Sequence, residues 1–254
     1  MMRLLARWGM PLAVLLLVAG CGSTDPSSGG KDAGAKSTDT KNTGEAERTS
    51  KVGECPVDSP ALVSARIIAT VDLDGDGQGD SVRLTAADGD CPNLLFAQQH
   101  KSYVAARLPV GEPPLTTGFA VYVPGRTGAL LVTRQDHPRG GFQLRLYAAG
   151  EGRLAELKVG SRSLVPFVAL DVQEHPLSID CTDGGVVLTE AVPQETRGAG
   201  FAWDIKRTSY AVDGTEVTAG ETQEIADNVP PGQLDAKYED LVQHTAFKSC
   251  RAAD

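Results

Sequence analysis

Four aspartates, Asp72, Asp74, Asp76 and Asp80, lie close together in one short stretch of the chain. Carboxylates at alternate positions of a tight loop can converge on one point, and Ca²⁺ takes about six to eight such oxygen ligands. The four side chains and the backbone carbonyl of Gln78 supply about five or six. Without a cation the carboxylates would repel one another. The spacing therefore predicts a structural Ca²⁺ site, and a metal-free acidic hairpin is the alternative.

The loop differs from an EF-hand, because Arg83 replaces the expected bidentate Glu and predicted strands flank it. Over residues 66–85 it is similar instead to the D-x-D-G-D-G-x-x-D loop of FG-GAP/VCBS-type repeats. That resemblance implies a metal that fixes the geometry of a β blade, in repeats that serve adhesion and ligand recognition. The sequence has no second aspartate loop, and a domain that spans only residues 53–254 is too short for a full seven-bladed propeller, whereas a partial one stays possible.

The N-terminus is typical of a targeting segment. Arg3 and Arg7 precede an apolar run at residues 10–19, which is too short to span a bilayer as a helix and suits a signal peptide. The run ends in Val-Ala-Gly-Cys, which resembles the lipobox of bacterial lipoproteins. The resemblance implies that residues 1–20 are removed and that Cys21 carries a diacylglycerol with fatty acids such as palmitate. The alternatives are an ordinary secretory signal and a buried helix that happens to be followed by a cysteine.

Residues 21–52 form a lipidated cysteine followed by a tether of polar and charged residues. Such a composition has little to bury, so we expect it to be disordered. The remaining chain, 53–254, is then an extracytoplasmic domain at the outer face of the bacterial cell membrane.

The cysteine count fits that compartment. Cys55, Cys91, Cys181 and Cys250 form an even set in a domain expected to be exported, which predicts two disulfides. No close pair typical of a zinc site is present. Three connectivities are possible, and the sequence does not choose among them. The combination of lipobox, single aspartate loop and four cysteines resembles a group of actinobacterial lipoproteins whose function is not established.

The composition argues against nucleic-acid binding. The chain carries 24 Lys and Arg against 33 Asp and Glu, a net charge of -9, whereas a nucleic-acid binder needs a basic face. The hydrophobic fraction of 41% suffices for a core.

Short apolar stretches separated by turn residues predict an all-β fold. We expect an antiparallel meander, partial-propeller-like or sandwich, with one C-terminal helix over Leu234–Phe247. A change of apolar phase within Ala202–Val212 predicts a β-bulge near Arg207. The predicted strands are Arg66–Val71, Ser81–Thr85, Leu94–Gln98, Tyr103–Leu108, Phe119–Val123, Ala129–Arg134, Phe142–Ala148, Leu154–Val159, Val165–Asp171, Leu177–Ile179, Val186–Ala191, Ala202–Val212 and Glu216–Ala219.

Two function classes stay open. The first is a non-enzymatic module that is anchored to the membrane through Cys21 and binds a cell-wall component, an envelope protein or a small ligand. The second is a tethered cell-envelope hydrolase without a linear motif. The histidines His100, His137, His175 and His244 match no catalytic or metal-chelating spacing. A histidine–carboxylate pair or a perturbed carboxylate in a pocket would favour the hydrolase. The sequence leaves the oligomeric state open.

Overall fold

The computed structural model describes residues 51–252 except for 101, 110–113, 139, 166–175 and 197–199. The predicted signal peptide, Cys21 and the tether up to residue 50 lie outside the described residues. So do His175 and all but the first residue of the predicted strand Val165–Asp171. The described domain begins with Lys51 and Val52, two residues ahead of the predicted boundary, because they pair with Cys55–Pro56.

The described residues form 17 strands and three short helices. The strands are β1 (Lys51–Val52), β2 (Cys55–Pro56), β3 (Arg66–Val71), β4 (Asp80–Leu84), β5 (Leu94–Gln99), β6 (Ser102–Arg107), β7 (Leu115–Tyr122), β8 (Leu130–Asp136), β9 (Phe142–Gly150), β10 (Arg153–Glu156), β11 (Lys158–Val159), β12 (Arg162–Ser163), β13 (Leu177–Thr182), β14 (Gly185–Thr196), β15 (Gly200–Asp213), β16 (Glu216–Val229) and β17 (Arg251–Ala252). The helices are α1 (Pro60–Val63), α2 (Pro231–Lys237) and α3 (Glu239–Val242). None of these helices has the length and apolar character to cross a membrane.

Three antiparallel sheets make up most of the fold, as the all-β prediction requires. Sheet I has the order β3-β4-β5-β6, sheet II the order β10-β9-β8-β7-β17, and sheet III the order β13-β14-β15-β16. Tight turns join neighbouring strands where the sequence predicts them. Glu151 and Gly152 both have positive φ between β9 and β10, and Gly184 has φ 72° between β13 and β14. Such backbone matches the twist of a two-residue hairpin.

Sheet II is the middle layer of the stack, because it buries both of its faces. In β8, Leu131 packs into a core shared with sheet I, whereas Leu130 and Val132 pack into a core shared with sheet III. Tyr147 and Leu146 of β9 alternate in the same way. Of the two predicted arrangements, the described residues form stacked sheets of the sandwich type and neither a closed barrel nor a propeller.

Register shifts occur near Arg207, as predicted, between Ile205 and Lys206 and between Thr208 and Tyr210, but they do not explain the change of apolar phase. β15 pairs with β14 without a register shift through Arg207, and the irregularities lie in its pairing with β16. Trp203 and Ile205 face a core formed with α2 and α3, while Tyr210 and Val212 face the core shared with sheet II. The phase changes because opposite faces of sheet III are covered at its two ends.

The prediction of one helix over Leu234–Phe247 is wrong in its extent. The chain leaves the helix at Tyr238, whose φ of -131° separates α2 from α3. Beyond α3, Ala246 lies beside Ile179 in an isolated bridge and Phe247 enters the core shared by sheets II and III. A continuous helix would carry this segment along a straight axis at about 1.5 Å per residue and away from the sheet.

The two predicted disulfides are present, and the structure supplies their pairing. Cys55 is bonded to Cys91, with Cα atoms 5.9 Å apart, and this bond ties the N-terminal segment to sheet I. Cys181 is bonded to Cys250, with Cα atoms 5.1 Å apart, and this bond ties the C-terminal segment to β13.

Candidate metal centre

The aspartate loop joins β3 to β4, and two contacts hold it against sheet II. Leu73, within the loop, is 2% exposed and packs in the core between sheets I and II. The carbonyl oxygen of Asp72 accepts a hydrogen bond of 2.8 Å from the Ala129 N–H. The apolar residue at the second loop position therefore holds an otherwise polar loop against sheet II.

Asp72 organises the turn from within. Its Oδ1 atom accepts hydrogen bonds from the N–H groups of Gly75 at 2.7 Å and Asp76 at 3.1 Å, and its Oδ2 atom accepts one from Gly77 at 3.0 Å. Positive φ angles at Gly75 and Gly77 turn the backbone so that these N–H groups point inward. The loop is thus wound around the first carboxylate of the motif.

Asp80 is the buried carboxylate of the site, with 8% of its surface exposed. Its Oδ2 atom accepts a hydrogen bond of 3.0 Å from the Leu73 N–H. Burial raises the pKa of Asp80, and the negative charges of Asp74, Asp76 and Asp72 raise it further, while the Leu73 hydrogen bond opposes them. A neighbouring cation would relieve both unfavourable contributions.

The carboxylates form two overlapping groups. One oxygen each of Asp72, Asp74 and Asp80 lie within 4.8 Å of one another, and Asp74, Asp76 and His100 form a second such group. The structure thus brings three of the four predicted carboxylates together and places Asp76 beside them. Asp76 also accepts a hydrogen bond of 2.6 Å from the N–H of Gln78, the predicted backbone ligand, which is exposed.

His100 is the residue that sequence reasoning missed. Its Nδ1 atom lies 3.0 Å from Asp76 Oδ2 and 4.0 Å from Asp74 Oδ2. His100 follows the last residue of β5 and has a φ of 45°. Because β4 and β5 are antiparallel, the β5–β6 turn and the aspartate loop lie at the same end of sheet I. That juxtaposition becomes visible only once the strand order is known.

No protein-family model, curated protein or solved structure matches the chain.

The arrangement of donors therefore has to be judged on its own chemistry. No lysine or arginine of the described residues lies within ion-pair distance of the four loop aspartates. Hard carboxylate oxygens with no cationic side chain beside them suit Ca²⁺ or Mg²⁺ better than softer metals. The residues present thus fit the predicted Ca²⁺.

A groove of about 550 Å³ runs beside this loop on the outer face of sheet I. Its polar end contains Asp76, Asp80 and His100, and its apolar end contains Leu62 of α1 and the ring of Phe96. The histidine–carboxylate pair thus lies at the rim of a groove. However, His100 makes no hydrogen bond with a serine, threonine or cysteine among the described residues, and its side chain is 63% exposed.

Proposed function

We propose that this chain is a lipoprotein anchored through Cys21 at the outer face of a bacterial cell membrane. Its β domain is a non-enzymatic binding or structural module, and its aspartate loop holds one structural Ca²⁺. One observation carries the metal part of the proposal: Asp72, Asp74 and Asp80 converge, and no lysine or arginine in the described part of the chain forms an ion pair with them. The similarity of the loop to FG-GAP/VCBS-type loops points to the same role.

The position of the loop favours a structural role for the metal. Bound Ca²⁺ supplies the positive charge that the carboxylates lack. Asp72 holds the turn through its three N–H contacts, and Asp80 fixes the start of β4 through the Leu73 N–H. Because Leu73 and the Asp72 carbonyl also contact sheet II, a loop ordered in this way keeps sheets I and II in register.

Thermal unfolding with Ca²⁺ and with chelator tests this proposal. We expect a higher Tm in Ca²⁺, because a ligand that binds only the native state adds about 2.7 kcal/mol at 100 times its Kd. Asp74→Ala should abolish the difference, because Asp74 belongs to both carboxylate groups. Asp88→Ala, at an exposed position in the loop between β4 and β5, is the matched control. Identical melting curves with Ca²⁺ and with chelator would mean that the loop is a metal-free acidic turn.

The anchor is tested separately by cell fractionation. The native chain should partition with membranes, and Cys21→Ala should release it, because the substituted residue can no longer carry a lipid. A Cys21→Ala chain that still sediments wholly with membranes would contradict the lipid anchor. For the native protein, the expected partners are the membrane and a cell-wall component or an envelope protein. Nucleic acid is not an expected partner.

The tethered hydrolase is the second candidate, and one observation favours it. Asp76 lies 3.0 Å from His100 at the rim of the groove, where the carboxylate could orient the imidazole as a general base for a water molecule. In that case His100→Gln would abolish cleavage of cell-envelope material by the purified chain, whereas His137→Gln would not. Equal activity in the two variants, or no activity in the native chain, would argue against the hydrolase and favour the non-enzymatic binding module.

A further inference from the structure

A second cavity, of about 450 Å³, lies where turns from all three sheets meet. Sheet I contributes Gln99 and part of the aspartate loop, sheet II contributes the β7–β8 and β9–β10 turns, and sheet III contributes the β15–β16 turn. Four glycines line it, so the backbone there is not shielded by side chains. The volume lies in the range of small-molecule sites, and loops on a rigid scaffold are where such sites are usually built.

Two buried donors in the wall of this cavity have no acceptor. The Nε2 atom of Gln99 and the Nε atom of Arg126 are buried and make no hydrogen bond among the described residues. Gln99 is 8% exposed as a whole residue. Buried donors are nearly always paired in native proteins, because leaving one unpaired forfeits its hydration without compensation. Both atoms can therefore donate to a partner that the described residues do not provide.

The guanidinium of Arg126 also lacks an ion-pair partner in the described residues. Burial lowers the pKa of Arg126, and the carboxylate of Asp213, across the cavity wall, acts in the opposite direction. The two charges thus influence one another without lying within ion-pair distance. An anionic group that bonds to Arg126 and Gln99 would satisfy both donors at once.

The rest of the lining selects among anions. Asp213 and Glu151 also border the cavity, so a multiply charged anion such as phosphate would face two carboxylates whether or not Asp74 binds Ca²⁺. A ligand with one carboxylate and one ammonium group would pair with both signs of charge. The buried apolar side chains of Leu73 and Val212 complete the lining and offer a surface for a hydrocarbon group.

We propose that this cavity binds a small zwitterion, an amino acid or a short peptide, with an apolar side chain. Its carboxylate accepts hydrogen bonds from Arg126 Nε and Gln99 Nε2, its ammonium group faces Asp213, and its side chain packs against Leu73 and Val212. The two unpaired donors lie outside the proposed metal groups, so this inference does not depend on the aspartate loop holding Ca²⁺.

The test is a chemical-shift titration of the purified full chain, at constant Ca²⁺, with four probes. Leucine carries all three features of the expected ligand. The compound 4-methylpentanoate lacks only the ammonium group, 3-methylbutylamine lacks only the carboxylate, and inorganic phosphate tests for a general anion site. We expect saturable binding of leucine, weaker binding of 4-methylpentanoate, and no binding of the amine or of phosphate.

Substitutions assign the binding to this cavity. Arg126→Met should weaken leucine binding at least about tenfold, because a hydrogen bond to a charged group is lost. Gln99→Leu should also weaken it while leaving the fold as stable as before or more so, because an unpaired buried donor is removed. Arg107→Met, at an arginine remote from the cavity, is the control and should bind leucine normally.

The following results would overturn the assignment. They are no saturable shift with leucine, equal loss of binding in the Arg126→Met and Arg107→Met variants, and phosphate or 4-methylpentanoate binding as tightly as leucine. Retention of leucine binding by Gln99→Leu at full affinity would equally contradict the donor pair.

Discussion

Gly128→Ala adds only one methyl group, but it should lower the free energy of unfolding substantially. Gly128 precedes β8 with a φ of 72°, and a Cβ atom at this position would lie 2.3 Å from the carbonyl oxygen of Leu73. That oxygen belongs to the backbone of the aspartate loop, so no flexible side chain can move aside. The loop must shift away from sheet II, and both the Leu73 side chain and the Asp72–Ala129 hydrogen bond move with it.

The magnitude follows from three contributions. A non-glycine residue in left-handed backbone costs about 1–2 kcal/mol. Displacing a well-packed core side chain such as Leu73 costs about 1–3 kcal/mol. Loss of the hydrogen bond from Ala129 to Asp72 adds about 1 kcal/mol. Together these lower the free energy of unfolding by about 4 kcal/mol.

Gly184→Ala is the matched control, because Gly184 has the same φ of 72° but nothing within 4 Å of its Cβ position. It should cost only the backbone contribution of about 1–2 kcal/mol. Urea unfolding followed by far-ultraviolet circular dichroism gives both values. An equal loss of stability in the two variants would refute the reasoning, since it would show that the aspartate loop can move away from sheet II at no cost in stability.

Three further predictions concern stability. Replacing Cys181 and Cys250 with serine should lower the free energy of unfolding by about 4 kcal/mol, given a sequence separation of 69 residues. Glu156→Ala should cost about 3–5 kcal/mol, because it removes the carboxylate that lies 3.0 Å from the buried guanidinium of Arg145. A hydrogen bond from a neighbouring arginine lowers the pKa of Asp136, so the wild type should lose stability on acidification through that folded-state pKa while Asp136→Asn does not.

Controls and contrary outcomes differ among the three. The disulfide variant is compared with the oxidised wild type, and equal stability of the two would mean that residues 181–250 stay compact in the unfolded chain without the bond. Glu151→Ala, at an exposed carboxylate, should be nearly neutral, so equal losses would argue against burial as the cause. For Asp136, the sign follows from a lowered folded-state pKa, whose stabilisation is present above the unfolded value and vanishes as the pH falls. Parallel acid profiles would contradict it.

Local sequence pattern predicted the strands and turns well, because both depend on neighbouring residues. The apolar alternation in Phe142–Ala148 and the Glu151-Gly152 turn each appear as expected in β9 and the hairpin that follows. The order in which the sheets stack could not be predicted from the sequence, since it depends on contacts between strands far apart in the chain. The near-continuous apolar run Ala129–Val132 is explained only when sheet II is seen to be covered on both sides.

The two candidate sites also differ in how much of each could be predicted from the sequence. The aspartate loop is contiguous, so its carboxylates could be read from spacing alone. His100 joins it across two strands, and the second cavity draws Gln99, Arg126 and Asp213 from three different sheets. No linear spacing relates those three residues. The predicted C-terminal helix was too long because Phe247 was assigned to its apolar face. Phe247 is apolar because it packs in the core between sheets II and III.

The pairing of β17 with β7 has a consequence for how the chain reaches this fold. Arg251 and Ala252 pair with Tyr122 and Val121 at the edge of sheet II. The end of β7 thus gains this partner only after a segment far along the chain has been made. Contacts of such wide sequence separation form slowly, and an open strand edge invites pairing between chains. Chains that lack Arg251 and Ala252 should accordingly be more prone to aggregation, because Val121 and Tyr122 then lose their partner strand on that side.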